Sequence, residues 1–96
     1  MNKIISYIGF ANKSNSLIAG QSPLKRTQKK LYLVMVCSSG SDNLKNLAKN
    51  ISVKHQCEYL VTTESLEKLT NIKDIKIIGT TDENLSKAII DNKEKI

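Results

Sequence analysis

The fold is decided by residues 8–30, which read IGFANKSNSLIAGQSPLKRTQKK. Ile8-Gly9-Phe10-Ala11 closes an apolar pattern of helical spacing. Ser16-Leu17-Ile18-Ala19-Gly20 reads as a very short strand that stops at a glycine. Gln21-Ser22-Pro23 then opens a second helix, with Ser22 placed to cap it and Pro23 at its first position. This helix is predicted over about Pro23–Lys29, and its end carries Lys25, Arg26, Lys29 and Lys30. A glycine turn that leads into a basic helix offers free backbone N–H groups and positive charge together. Such an arrangement suits phosphate.

Outward from that stretch, helical and extended patterns alternate. Ile4, Ile5, Ile8 and Ala11 form one apolar stripe, predicting a helix over Asn2–Asn12. Leu31–Cys37, LYLVMVC, is continuous and apolar, as expected for a strand covered on both faces. Ser41 or Asp42 caps the next helix, which buries Leu44, Leu47, Ala48 and Ile51 and ends near Lys54-His55. There the His55 charge would meet the last helix carbonyls. Cys57–Val61 is predicted as a second inner strand. Thr62-Thr63 opens a short helix with Glu64 in its first turn, and Asn71 ends it. Asp74–Gly79 is the next strand. Thr80 with Glu83 fits a capping box, followed by a helix that buries Leu85, Ala88 and Ile89. The order is α-β-α-β-α-β-α-β-α. It predicts a single α/β domain over residues 1–92, a three-layer α/β/α sandwich on a mixed sheet of about four strands, with a charged mobile tail at 93–96.

The net charge is +6, and its placement says more than its size. Residues 1–41 hold six basic residues and no acid, whereas residues 42–96 hold nine lysines and nine acids. The whole excess therefore travels with the organising stretch, which points to a polyanionic partner. No apolar run reaches the roughly 18 residues of a membrane span. The interrupted start, Met1-Asn2-Lys3-Ile4-Ile5, does not fit a signal peptide. A cytoplasmic, non-enzymatic monomer without cofactor or metal is expected. Cys37 and Cys57 are expected to be reduced and buried. His55 is the only histidine, too few partners for a zinc site. Tyr7, Tyr32, Tyr59 and Phe10 are too scattered for a base-stacking platform and are expected in the core or at its boundary.

IGFANKSNSLIAG, the basic helix, LYLVMVCSSGSDN and TTDENLSKAI, in this order and spacing, resemble the small ribosomal protein family that binds kink-turn RNA. The nearest branch is the bacterial YlxQ-type proteins, and the resemblance runs from about Ile4 to Asn92. It implies an α/β/α sandwich that inserts the start of its second helix into a bent RNA. The family motif there is Gly-x-Asn-Glu; here it reads Gly20-Gln21-Ser22-Pro23. The glycine is kept, while Ser22 and Pro23 replace the Asn and Glu that read base edges in the kink. A second RNA-facing loop corresponds to about Thr62-Thr63-Glu64-Ser65-Leu66, with Glu67 in place of the usual small residue. The groups that remain favour phosphate and sugar contacts, which position RNA without specifying it. The expected RNA face comprises Lys13, Gly20, Gln21, Ser22, Lys25, Arg26, Lys29, Lys30, Thr62 and Thr63, and its partner is structured RNA, ribosomal RNA among the candidates.

Two other readings stay open. A family member without the base-reading residues could serve as a protein-interaction module. Alternatively, Cys37-Ser38-Ser39-Gly40-Ser41, between a strand and a helix N-terminus, resembles the phosphocysteine loop of sugar-phosphotransferase IIB proteins. Those proteins begin with this strand, whereas here thirty residues precede it. Cysteine-dependent phosphatases carry an Arg six positions after the Cys, where this chain has Asn43.

Overall fold

A computed structural model of the chain describes residues 3–92. Asn2, the predicted first helical residue, and the predicted tail at 93–96 lie outside the described residues. The elements run α1 (Lys3–Lys13), β1 (Leu17–Ala19), α2 (Gln21–Arg26), β2 (Leu33–Cys37), α3 (Asp42–His55), β3 (Glu58–Thr62), α4 (Leu66–Thr70), β4 (Ile77–Thr80) and α5 (Glu83–Asp91). The alternation expected from the sequence is present. The four strands form one mixed sheet in the order β1-β4-β2-β3. β4 runs antiparallel to both neighbours, and β2 pairs parallel with β3.

Alternation along the strands builds two cores. Leu33, Met35 and Cys37 of β2, with Ile78 of β4, pack against Ile4 and Ile8 of α1, Leu66 and Leu69 of α4 and Ile89 of α5. Val34 and Val36, with Ile77, face the other way and meet Leu24 of α2, Leu31, and Ala48 and Ile51 of α3. The sheet is thus covered on both sides, giving the three-layer α/β/α sandwich.

β3 is not the inner strand that its apolar run suggested. It pairs only with β2, so it forms an edge, and its Glu58 and Val61 are exposed. β2 starts at Leu33 rather than Leu31, because the preceding amides pair differently: Tyr32 N–H donates to Thr80 O at 2.9 Å and Leu31 N–H to a side chain described below. Leu44 and Leu47 are half-buried on α3, where Ser52 completes the buried face with Ala48 and Ile51. Ile5, expected on the apolar stripe, is 43% exposed and Phe10 is 62% exposed, because the buried face of α1 is only Ile4, Ile8 and Ala11.

The starts of two helices and one strand differ from the sequence reading. α4 begins at Leu66, capped by Ser65, because Thr62 is drawn into β3. Its first-turn acid is Glu67 rather than Glu64. β4 begins at Ile77 rather than Asp74, which sits at a φ of 61° outside the strand. Thr80 pairs with Leu17 and Leu33 as the last residue of β4, and its hydroxyl bonds that of Ser86. It therefore cannot cap α5; Asp82 does, accepting from Leu85 N–H at 3.0 Å.

Gly79 marks the closest approach between sheet and helix layer. A Cβ there would come 2.7 Å from Leu24 Cδ2 and 3.2 Å from Leu31 Cδ2, both on buried side chains. Gly79→Ala should therefore destabilise the protein by about 1–3 kcal/mol through overpacking. Chemical denaturation compared with wild type measures this, and an unchanged midpoint would refute the close packing.

Candidate nucleic-acid interface

Strand directions sort the chain's connections onto two ends of the sheet. β1, β2 and β3 all finish at one end, where β4 begins. Backbone bonds tie this end together. Gly20 N–H donates to Ile77 O at 3.0 Å, Cys37 N–H to Lys76 O at 2.8 Å, and Ser38 N–H to Thr62 O at 2.9 Å. Gly20, Lys76, the Ser38–Ser41 loop and Thr63 thus form one row. Three inter-strand steps place its extremes roughly 14 Å apart.

Gly20 begins this row with φ 97° and ψ 153°, a conformation essentially restricted to glycine. It also takes the N-cap position that the sequence reading gave to Ser22. Its carbonyl accepts the first helical bond, from Leu24 N–H at 3.3 Å. Gln21 and Ser22 already lie in the first turn, exposed, and no side chain caps the helix. Pro23 lies there too, where its missing N–H leaves no bond unmade. α2 is held by Leu24, its one buried residue. It stops at Arg26 because Thr27 turns extended, with φ −65° and ψ 137°. Lys25 and Arg26 are exposed on its last turn.

Lys29 and Lys30 are therefore not on the helix. They follow it, in the connection that carries the chain to the opposite end of the sheet, where β2 begins. Lys30 Nζ donates to His55 O at 2.9 Å and lies 5.4 Å from the centroid of the Tyr32 ring. Lys13 ends α1 at that same far end, since the turn after it brings Ser16 O to Thr81 N–H at 2.8 Å. Of the expected face, Gly20, Gln21, Ser22 and Thr63 share one end, Lys25 and Arg26 flank it along α2, and Lys13, Lys29 and Lys30 stand away from it. Thr62 is fully buried, its hydroxyl donating to Glu64 O at 2.9 Å, so its side chain is removed from any face. Thr63 beside it is exposed. Lys76 joins the row, a residue that the sequence reading placed inside a strand. A groove of about 280 Å³ opens between Gly20, Gln21, Leu44 and the Asp74–Ile77 segment.

The cysteines lie on opposite faces of the sheet. Cys37 belongs to the core on the α1, α4 and α5 side, whereas the N-terminus of α3 lies on the other side. Its sulfur lies 3.0 Å from Ser39 Oγ and 3.8 Å from Glu64 O. Burial pushes the Cys37 thiol up. Hydrogen bonds from the Ser39 hydroxyl and backbone and from the Leu66 backbone, together with the Lys76 charge, outweigh that and bring it below the ordinary thiol value. Cys57 is half-buried rather than buried, packs against the other core, and has its thiol pushed up chiefly by burial. Among the described residues, no group of three or more His, Cys, Asp or Glu is placed to hold a metal ion. Within them, no helix is long and apolar enough to cross a membrane.

His55 is used differently from a charged partner of helix carbonyls. Its Nδ1 accepts from the N–H of fully buried Leu31 at 3.2 Å, so the ring must be neutral, with its proton on Nε2. Burial, then Lys54 and Lys30, lower its pKa below the ordinary value. The unfolded chain, at about 6.5, thus takes up this proton before the folded one does. The contribution is present above about pH 6.5 and is lost as pH falls through the lower folded value. His55→Ala should cost about 1 kcal/mol at pH 7.5 and flatten the loss of stability on acidification. Thermal melts of both proteins across that range check it; parallel pH profiles would contradict it.

No family model and no curated protein matches the chain. Among solved structures, it is similar to a protein of unknown function from Bacillus halodurans C, with a TM-score of 0.84 and 19% identity. The match covers 98% of this chain and 99% of that one. A likeness at this identity establishes the fold and is silent on activity.

Proposed function

We propose that this chain binds structured RNA through the end of the sheet where Gly20 turns into α2. One observation carries the reading: the glycine turn and the β3–α4 loop, the two segments that the family resemblance assigns to RNA, come to the same end of the sheet. Between them lie the exposed Ser38-Ser39 loop and Lys76, and beside them Lys25 and Arg26. A backbone turn, hydroxyls and cations contact phosphate and sugar. Pro23 supplies neither donor nor acceptor from its side chain, so affinity outruns sequence selectivity. Binding without catalysis, as a cytoplasmic monomer, completes the reading.

We assign the phosphate contacts to the basic residues nearest that end. Lys25, Arg26 and Lys76 face the RNA, whereas Lys29 and Lys30 lie apart from the sheet end. Two to three phosphates neutralised give a log–log slope of affinity against salt of about −2 to −3. Lys25→Gln with Arg26→Gln should flatten this slope by about 1–2. Lys29→Gln should leave it unchanged. Fluorescence anisotropy with a labelled stem-loop, titrated at several salt concentrations, measures all three. A flat wild-type response would remove the electrostatic basis of the proposal and favour the protein-interaction reading.

A further inference from the structure

The cations of α2 and α3 converge on a second feature, away from the sheet end. A groove of about 210 Å³ runs between the two helices, lined by Leu24, Lys25, Asn50, Ile51, Lys54 and His55. Its floor is apolar and its rim carries two ammonium groups, an amide and an imidazole, with no carboxylate among the lining residues. Lysines in the last turns of helices commonly serve only to offset the helix dipole. Here they come from two helices and meet on one cleft, and Lys30 stands beside it, bonded to His55 O. The two charges that lower the His55 pKa, those of Lys54 and Lys30, are both positive. Since Nδ1 of His55 is occupied as an acceptor, its Nε2 carries the ring proton and is open to solvent at the groove.

We infer that this groove is a second phosphate-binding subsite, in which Lys25, Lys54, Asn50 and the Nε2–H of His55 hold the sugar-phosphate backbone of an RNA that continues past the sheet end. The inference rests on the RNA reading and extends its footprint along α2, whose six residues separate the two places by about 9 Å. A phosphate there would accept from Nε2–H while Leu31 keeps its bond to Nδ1. Its charge would also favour a protonated ring, so binding would raise the midpoint of His55.

His55 is the only histidine, so its ring Cε1–H resonance reports on the groove without assignment by mutation. Its titration by proton NMR is recorded with and without a saturating RNA stem-loop at one low salt concentration. The expected result is an upward move of the midpoint by about 1 pH unit. In parallel, Lys54→Gln should weaken binding of the same stem-loop several-fold and flatten its salt slope by about 1. Lys76→Gln, at the sheet end, should weaken binding while leaving the RNA-induced move of His55 in place. RNA that binds in a Gly20- and Lys76-dependent way, with the His55 midpoint unmoved and Lys54→Gln silent, would overturn the groove and leave the sheet-end proposal standing. Sensitivity to Lys54→Gln with indifference to Gly20→Val and Lys76→Gln would keep the groove and overturn the sheet end. No binding by wild type would overturn both.

Discussion

Gly20→Val should abolish RNA binding and cost about 1–3 kcal/mol of stability, the usual scale for backbone forced into a disallowed region. The cost arises from the backbone alone. A Cβ at Gly20 would meet Pro23 Cδ at 3.6 Å and Ile75 Cδ1 at 3.9 Å, which are ordinary contacts. What a branched residue cannot adopt is φ 97°, so the turn into α2 must relax elsewhere. The helix then loses its defined start, and a six-residue helix anchored by Leu24 alone has little else to hold it. Denaturation would separate the two effects: binding lost in a protein that remains folded ties the turn to RNA. Full retention of affinity would detach Gly20 from the interface.

The second large effect is a gain. Ser22→Asn with Pro23→Glu restores the Gly-x-Asn-Glu motif that the resemblance implies for base reading. Both positions are exposed and lie in the first turn of α2, where an acid is favourable and an added N–H has no carbonyl to displace. The fold should therefore tolerate the pair. If this end meets RNA as in the family, the double variant should prefer a kink-turn over a plain duplex by about 1–3 kcal/mol more than wild type, the scale of one good bidentate base contact. Binding of both RNAs at one fixed salt concentration gives the comparison. An unchanged preference in a folded variant would mean that the surface does not meet RNA in that way.

Element type and order were legible in the sequence because hydrophobic periodicity records which faces are buried. The sheet order was not, since the pattern within a strand says nothing of its neighbour. β3 illustrates this. Leu60 and Val61 read as core, yet Glu58 at the strand's start was the sign of an edge. The misplaced helix boundary at α2 has a different cause. Ser-Pro is a strong local start signal, and it lost to the backbone of Gly20, whose positive φ already turns the chain. Lys29 and Lys30 looked helical because they continue a basic run. Thr27 ends the helix first, its hydroxyl accepting from Lys29 N–H at 3.2 Å. At α5, two capping signals overlapped, and Asp82 prevailed because Thr80 was needed in the ladder with Leu17 and Leu33.

The candidate site was half visible. Gly20, Gln21 and Ser22 stood out from chain-local chemistry, and Thr63 entered through the resemblance. Lys76 was hidden because its position depends on β4 running antiparallel, which brings its start to the end where β1 and β2 finish. His55 was unreadable in its actual role, for its partner Leu31 lies 24 residues away.

The most direct test of the central claim is amide chemical-shift mapping of the isotopically labelled protein as a structured RNA is added at low salt. Shifts should concentrate at Gly20–Ser22, Ser38–Gly40, Thr63 and Lys76, at one end of the sheet. Shifts confined to the opposite end, around Ser16, Tyr32 and Thr81, or no shifts at all, would contradict it.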